Sequence, residues 1–300
     1  MLNRASKPFV KLVERYLPDP YIFVLLLTLI TLVFAVVIQG QSPLTTVQQW
    51  GDGFWGLLTF SMQMLLVLVT GFMLACTPLV KALLERLASV AKSPGSAIVL
   101  VTLVSLIASW INWGFGLVVG ALFAKALARK VTVDYRLLVA SAYSGFIVWH
   151  GGLAGSVPLT IATPGHFSEA QIGVMSTSET IFSGFNLLLL AIMFVVIPLV
   201  NRLMLPPKSE SVIVDSTKLQ DDALPSAENE RPADKLENSK ALGLLVGFAG
   251  LAYLTNYFAS GGGLNLNIVN MLFLFLAIVL HGTPRNVLHS LQQAVQGGSG

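Results

Sequence analysis

The positions without charge constrain this chain more than any motif does. Its 18 Lys and Arg and 15 Asp and Glu leave six stretches untouched: Tyr21–Ile38, Phe54–Leu79, Ser96–Ala124, Leu137–Phe167, Thr180–Asn201 and Ala241–His281. A helix needs roughly 20 consecutive apolar residues to cross the hydrocarbon core of a bilayer, and several of these stretches are long enough. Only 11% of the residues are charged and 54% are hydrophobic, against about 25% charged in a soluble domain. Within lipid, an isolated segment can pair its own peptide groups only as a helix. The chain therefore reads as an all-α polytopic membrane protein, embedded in a lipid bilayer.

The remaining charges set orientation. Arg4, Lys7, Lys11 and Arg15 precede the first apolar run. That run is longer than a signal-peptide core and has no small-x-small cleavage site, so it reads as a retained span, about 21–38. The loop that follows carries no Lys or Arg. A second span, about 54–76, leads to Lys81, Arg86 and Lys92. Bases outside this pair and none between them place both ends, and the N-terminus, in the cytoplasm. The net charge of +3 is spread over loop edges, and no nucleic-acid partner is expected. One cysteine, Cys76, excludes an internal disulfide.

Thr77–Ala91 reads as an amphipathic helix with Thr77 as cap and Pro78 as its first residue. Leu79, Leu83, Leu87 and Val90 form its apolar stripe, which suits either the membrane surface or packing on neighbours. A hairpin follows at 96–128. Its arms, Ser96–Ile111 and Leu117–Ala128, reach roughly 24 Å and 18 Å, both short of a core about 30 Å thick. Bases flank both outer ends. A re-entrant hairpin with Asn112–Gly116 as its intramembrane tip satisfies these facts economically; two ordinary spans with a tight outer turn are the alternative. The stretch 137–163 is interrupted by HGGLAGSVP, His150–Pro158. Its glycines and proline cannot sustain a regular helix, so a discontinuous span is expected. Span 184–205 completes a first membrane unit, 1–205.

Residues 206–240 are polar and acid-rich and read as a disordered cytoplasmic linker. Residues 241–300 carry two more spans and a second amphipathic helix, Pro284–Val295. Gly282-Thr283-Pro284 echoes Cys76-Thr77-Pro78, again between a span and an amphipathic helix. The echo suggests an internal structural repeat whose second copy starts in 241–300 and is cut short. Both copies count out in the same orientation.

Non-helical backbone at membrane depth must be buried in protein or line a cavity, which makes both breaks candidate sites. Ser105, Ser109 and Asn112 stand at the first. Ser156, Thr160 and Thr163 stand at the second. Gly114, Gly116, Gly151, Gly152 and Gly155 would let backbone approach a ligand. No carboxylate occurs in the charge-free stretches, where proton relays and cation antiporters usually place one. A site of hydroxyls, amides and helix N-termini suits a carboxylate substrate; with backbone carbonyls the same atoms could hold Na+ as a coupling ion. His150 is either a proton-coupling or substrate-binding group or a neutral side chain bonded to a carbonyl. Trp110, Trp113 and Trp149 either wall a pocket or anchor an interface. No metal site, cofactor motif or Ser-His-acid arrangement is present.

Three runs carry a resemblance: ERYLPDPYIFVLLLT (Glu14–Thr28), SWINWGFGLVVGALFAK (Ser109–Lys125) and YSGFIVWHGGLAGSVPLTIATPGH (Tyr143–His166). They resemble the bacterial short-chain fatty acid transporter family, and the likeness extends over the whole chain. It implies a secondary transporter of butyrate- or acetoacetate-like anions in the bacterial inner membrane. It also implies a longer parent chain, since family members continue past residue 300. That family is similar to a wider ion-transporter superfamily with repeated units, re-entrant hairpins and broken helices around a central site. A Ser-Asn-Thr signature at the hairpin tip there helps bind sodium and carboxylate. This chain matches it at Asn112 and loosely at Ser109, while Trp113 stands in place of the threonine. The expected site is thus Ser109, Asn112, Gly114, Gly116, His150, Gly151, Gly152, Ser156 and Thr160. Its expected partners are a short-chain fatty acid anion and a coupling cation, H+ or Na+. The alternatives are another small organic anion as substrate, a passive channel, or a membrane-embedded acyl-processing enzyme using His150 as base. A homo-oligomer stays open.

Overall fold

Proline opens helix after helix in this chain, in five cases behind a side-chain oxygen. The computed structural model describes residues 2–219 and 231–297, and among them there is helix and no strand. The helices are α1 (Leu2–Tyr16), α2 (Pro20–Val37), α3 (Pro43–Gly53), α4 (Leu58–Ala75), α5 (Pro78–Ala88), α6 (Pro94–Ile111), α7 (Trp113–Lys130) and α8 (Tyr135–Ser144). A 3-10 stretch, Gly145–Gly151, continues α8. Then come α9 (Ser156–Ile161), α10 (Glu169–Ile172), α11 (Gly184–Leu203), α12 (Pro232–Glu237), α13 (Lys240–Ala259), α14 (Leu266–His281) and α15 (Pro284–Gly297). Asp19, Ser42, Thr77 and Ser93 cap α2, α3, α5 and α6 through their side-chain oxygens, with proline directly following. Thr283 does the same for α15, accepting from the Asn286 N–H at 3.3 Å. The cap accepts one of the N–H groups that a helix start leaves unpaired, and proline has none to leave. The Thr-Pro echo of the sequence is thus a shared local geometry.

Two compact units divide the chain, one ending at Ser61 and one starting at Met62. In the first, α2 is apolar on every face, with Phe23, Leu27, Phe34 and Val37 all exposed. A helix hydrophobic all round belongs in lipid.

The second unit is organised by the α6–α7 hairpin. Asn112 alone separates the two helices, in extended backbone at φ −157° and ψ 126°. The helices run back antiparallel in close contact. Ser109 lies against Gly116 and Ser105 against Gly120, so small residues four apart on each helix let the backbones meet. Phe123, Leu127, Ile98, Val101 and Leu138 fill the core around them. Each arm has 18 residues, about 27 Å by helical rise. The sequence reading makes both arms shorter, because it ends the regular helix at the glycines. Packing against a neighbour overrides their weak propensity.

The broken span also differs in detail. Regular α-helix ends at Ser144 rather than near His150, tightens to 3-10 over Gly145–Gly151, opens, and resumes at Ser156. On α5, the expected stripe splits. Leu87 joins the core while Leu79, Leu83 and Val90 stay exposed. Ion pairs from Arg129 and Lys130 to Glu85 fix α5 to the end of α7. Partial burial pushes the Glu85 carboxyl up, but those two cations outweigh it and hold it below its ordinary range.

The linker reading needs correction where the structure describes it. Asp134 is buried and caps α8 by accepting from the Leu137 N–H. It also accepts from the Val212 N–H at 2.8 Å, while the Tyr135 N–H donates to the Val212 carbonyl at 2.9 Å. Burial pushes the Asp134 carboxyl up, yet these N–H groups and Arg136 together hold it below the usual carboxylate range. Further along, Arg285 bridges Asp234 and Glu237 of α12 to α15. The polar segment is low in apolar residues, as disorder requires, but the buried acceptor Asp134 ties it down at Val212. Residues 220–230 of that expected linker lie outside the described residues.

Five helical segments are long and apolar enough to cross a bilayer among the described residues: Leu58–Ala75, Pro94–Ile111, Tyr135–Ile161, Gly184–Leu203 and Lys240–Ala259. Exposed Phe185, Leu188 and Val195 on α11, and Leu245 and Phe248 on α13, give these helices lipid-compatible faces. The chain is a multi-pass membrane protein.

Candidate functional site

Asn112 ends one helix and starts the next with the same residue. Its N–H donates to the Ala108 carbonyl at 2.9 Å, closing α6. Its Oδ1 accepts from the Phe115 N–H at 2.9 Å, capping α7. That cap fixes the amide's orientation and leaves Nδ2 without a partner, although the residue is 0% exposed. Ser109, one turn earlier on the same face, is 1% exposed, and its Oγ is also unpaired. A buried polar atom without a partner costs about 1–3 kcal/mol, so a native structure that keeps two together needs a reason. The first turn of α7 adds the positive end of its dipole at the same point.

The wall over this tip is α4, which the sequence reading passes over as a plain span. A Cβ at Gly71 would sit 2.4 Å from the Phe115 nitrogen and 2.9 Å from Asn112 Oδ1. One at Gly114 would sit 2.7 Å from the Leu68 Cα and the Val67 carbonyl oxygen. Three residues before Val67 on the same helix, Met64 Sδ accepts from the Ser156 hydroxyl at 3.0 Å. Met64, Val67, Leu68 and Gly71 stand at i, i+3, i+4 and i+7, a single helical face. One face of α4 therefore touches both breaks, and the seven helical steps from Met64 to Gly71 span about 10 Å. This periodic signal was present in the sequence but looks like any buried stripe.

The second break is built differently. Its loose backbone is taken up by neighbours. Leu153 N–H donates to the Trp110 carbonyl at 2.7 Å. Asn186 of α11 donates to the Gly151 and Ile181 carbonyls at 3.0 and 2.7 Å. Ser105 donates to the Ala142 carbonyl. Asn201, also on α11, donates to the Thr102 and Ser144 hydroxyls at 3.0 and 2.7 Å. Thr160 donates to the Ser156 carbonyl, and Thr163 donates to the Leu159 carbonyl while accepting from the Leu266 N–H. Lipid-depth irregular backbone survives only with such partners. Asn186 and Asn201 are amides inside an otherwise apolar span, a polar signal the sequence reading leaves unused.

The structure thus brings Ser109, Asn112, Gly114 and Gly116 together at the tip, and Gly151, Gly152, Ser156 and Thr160 together at the second break. The space beside each of these glycines is filled by protein: Gly116 by Ser109, Gly151 by Asn186 and Gly152 by the Trp110 carbonyl. His150 stands apart. It is exposed, with its ring 3.7 Å from that of Trp149. Three residues per turn eclipse i and i+3 in a 3-10 helix, and Tyr143, Phe146 and Trp149 form a stacked ladder on that repeat. Trp113 meets the ladder edge-on, 5.8 Å from Trp149. Trp110 instead packs on Leu106, Val148 and Leu190.

A model of the family described as short chain fatty acid transporter matches residues 1–300. The chain belongs to that family. It is 43% identical over 307 residues to the Escherichia coli K12 protein named "Putative short-chain fatty acid transporter", covering all of this chain and 69% of that one. It is 39% identical over 312 residues to the Haemophilus influenzae protein of the same name, again covering all of this chain and 70% of the relative. No solved structure matches it. Membership in a short-chain fatty acid transporter family makes the chain a transporter and sets aside the enzyme reading of His150. The hairpin tip and broken span are then two parts of a transport machine, differing in which polar atoms they leave unpaired.

Proposed function

We propose that this protein moves short-chain fatty acid anions of butyrate or acetoacetate size across the bacterial cytoplasmic membrane by symport. The N-terminus lies in the cytoplasm. The carboxylate binds at the hairpin tip, accepting from Asn112 Nδ2 and Ser109 Oγ at the positive end of α7. The single observation that supports this is the pair of buried, unpaired groups at a helix break. Helix N-termini attract anions, and donors without acceptors are what a carboxylate completes.

The tip sits within the bilayer. Lys125 stands 12 residues beyond Trp113 on α7, about 18 Å by helical rise. With its ammonium at the interface, the tip reaches past mid-core. Ser109 and Asn112 are closed off in this conformation, so access requires α4 to move off the hairpin at the Gly71 and Gly114 contacts. Movement of one bundle against a fixed site is the general form of alternating access.

A proton suits the coupling role better than sodium. Three of the unpaired atoms around the break, Asn112 Nδ2, Trp110 Nε1 and Trp113 Nε1, are donors only. A sodium ion needs lone pairs, and Asn112 Oδ1 spends one on its helix cap. Uptake of labelled butyrate into proteoliposomes tests the proposal. Asn112→Asp retains the cap but repels a carboxylate; Asn112→Ala loses both functions. Losing a hydrogen bond to a charged group costs about 1.5–3 kcal/mol, so both variants should lower uptake by about 10- to 100-fold. An ionised carboxylate buried there pays a desolvation cost, so the thermal transition of Asn112→Asp is measured alongside its uptake. Undiminished uptake by Asn112→Asp would remove the tip from the site. Uptake that follows an imposed pH gradient without sodium supports the proton, and strict sodium dependence refutes it.

A further inference from the structure

A second feature lies one helix face away from the tip. A cavity of about 590 Å³ opens between α4, α5, α7, the end of α14 and α15. Every titratable side chain lining it other than Cys76 is a base: Lys81, Lys125, His281 and His289. No Asp or Glu lines it, and neither Lys81 nor Lys125 pairs with a carboxylate among the described residues. Two buried polar groups on its wall are unsatisfied. Ser290 Oγ, in a residue 2% exposed, has no partner. His281, 5% exposed, uses Nε2 to donate to the Met73 carbonyl at 2.9 Å and leaves Nδ1 free.

Apolar side chains of two helices also line the cavity: Leu68 and Phe72 of α4, and Leu117 and Leu122 of α7. Leu68 is the residue whose backbone abuts Gly114, two residues from Asn112. Leu68 is thus shared between the cavity wall and the contact that closes the tip. Unpaired ammonium groups in a cavity that apolar side chains also line, with a hydroxyl waiting for an acceptor, fit an organic anion with a short apolar tail. Lys is a compact point charge on a flexible stem, able to hold a carboxylate without the fixed geometry that would prevent its release. The bases at the end of α7 behave otherwise: Arg129 and Lys130 both pair with Glu85.

We propose that this cavity is a second binding site for a monocarboxylate anion, a waiting position from which the substrate reaches the tip when α4 lifts from Gly114. It rests on the transport reading above, but binding at each position can be measured apart. An anionic phospholipid headgroup offers a similar charge, so the test is run first without one.

The experiment is equilibrium binding of radiolabelled butyrate to the full-length protein in phosphatidylcholine nanodiscs, comparing wild type with Lys81→Gln/Lys125→Gln, Ser290→Ala and Asn112→Asp. Two saturable sites are expected in wild type. The double lysine variant should weaken one of them at least about 10-fold, Ser290→Ala should weaken the same one less, and Asn112→Asp should remove the other. Lys81→Arg/Lys125→Arg retains the charge and should keep both, which separates a binding loss from misfolding. One site, lost in Asn112→Asp and untouched by the lysine variants, overturns the cavity proposal and leaves the tip standing. One site lost only in the lysine variants supports the cavity and refutes the tip. Should butyrate leave the lysine-dependent site empty while phosphatidylglycerol, added to the nanodiscs, protects that cavity in a lysine-dependent way, the cavity is a lipid site and the proposal fails.

Discussion

The hairpin break and the break in the following span solve one problem in opposite ways. Both interrupt a helix in a segment long enough to cross the membrane. At Asn112 the interruption is a single residue, whose N–H closes α6 on the Ala108 carbonyl and whose Oδ1 caps α7. What remains unpaired is side-chain: Asn112 Nδ2 and Ser109 Oγ. Between Gly145 and Gly155 the backbone itself is irregular, and Asn186 and the Trp110 carbonyl pair with it. The first break leaves capacity for a ligand. The second uses its neighbours' capacity to hold its shape. A helix interruption in a membrane is therefore not evidence of binding until the destination of each freed polar group is known.

Packing sharpens the difference most. A Cβ at Gly116 would meet the Ser109 backbone, Cα and nitrogen, at 2.5 Å. One at Gly151 would meet only the side chain of Asn186, which can turn aside. Gly116→Ala should therefore cost about 2–3 kcal/mol of stability and Gly151→Ala about 1 kcal/mol, on the usual scale for overpacking. Thermal unfolding of the purified variants in detergent reads both. Equal losses would mean that the hairpin is no tighter than the broken span, and the contrast would collapse.

A somewhat smaller effect separates binding from support. Asn186→Ala strips the donors from the Gly151 and Ile181 carbonyls, at about 1–3 kcal/mol. If the second break is scaffold, this variant loses stability while its KM for butyrate stays within about two-fold of wild type. Ser109→Ala should do the reverse and raise KM. A rise in KM for Asn186→Ala as large as that for Ser109→Ala would make the second break part of the binding site.

Much of the architecture was legible because charge placement and helix-breaking residues are local signals. The spans, the Thr77 and Thr283 caps and the interruption at Asn112 follow from residue types alone. The length of the second arm was not legible, because Gly114 and Gly116 look like helix breakers until their partners Leu68 and Ser109 are known. Nor was the wall: Gly71 and Met64 differ in no local respect from other residues of an apolar span, and only tertiary contact sets them beside Phe115 and Ser156. The cation-lined cavity escaped for a similar reason. Lys81, Lys125 and His289 are far apart in sequence, and each alone reads as a solvated loop-edge charge.

The weakest expected effect concerns His150. In sequence it is the one titratable side chain beside a break, and a proton-coupled carrier invites giving it the proton. The structure turns its ring outward against Trp149, away from Ser109 and Asn112, which are buried on the α4 and α7 side. A group that relays a proton must reach the substrate directly or through one water. On the proposed function, the other carrier for the proton is the substrate carboxylate itself, protonated only after it has bound at the tip. His150→Gln should then leave butyrate uptake within about two-fold of wild type and its pH profile unmoved. Loss of uptake together with a flattened pH profile would put the proton on His150. The second break would then belong to the coupling machinery after all, and the division of labour between the two breaks would be wrong.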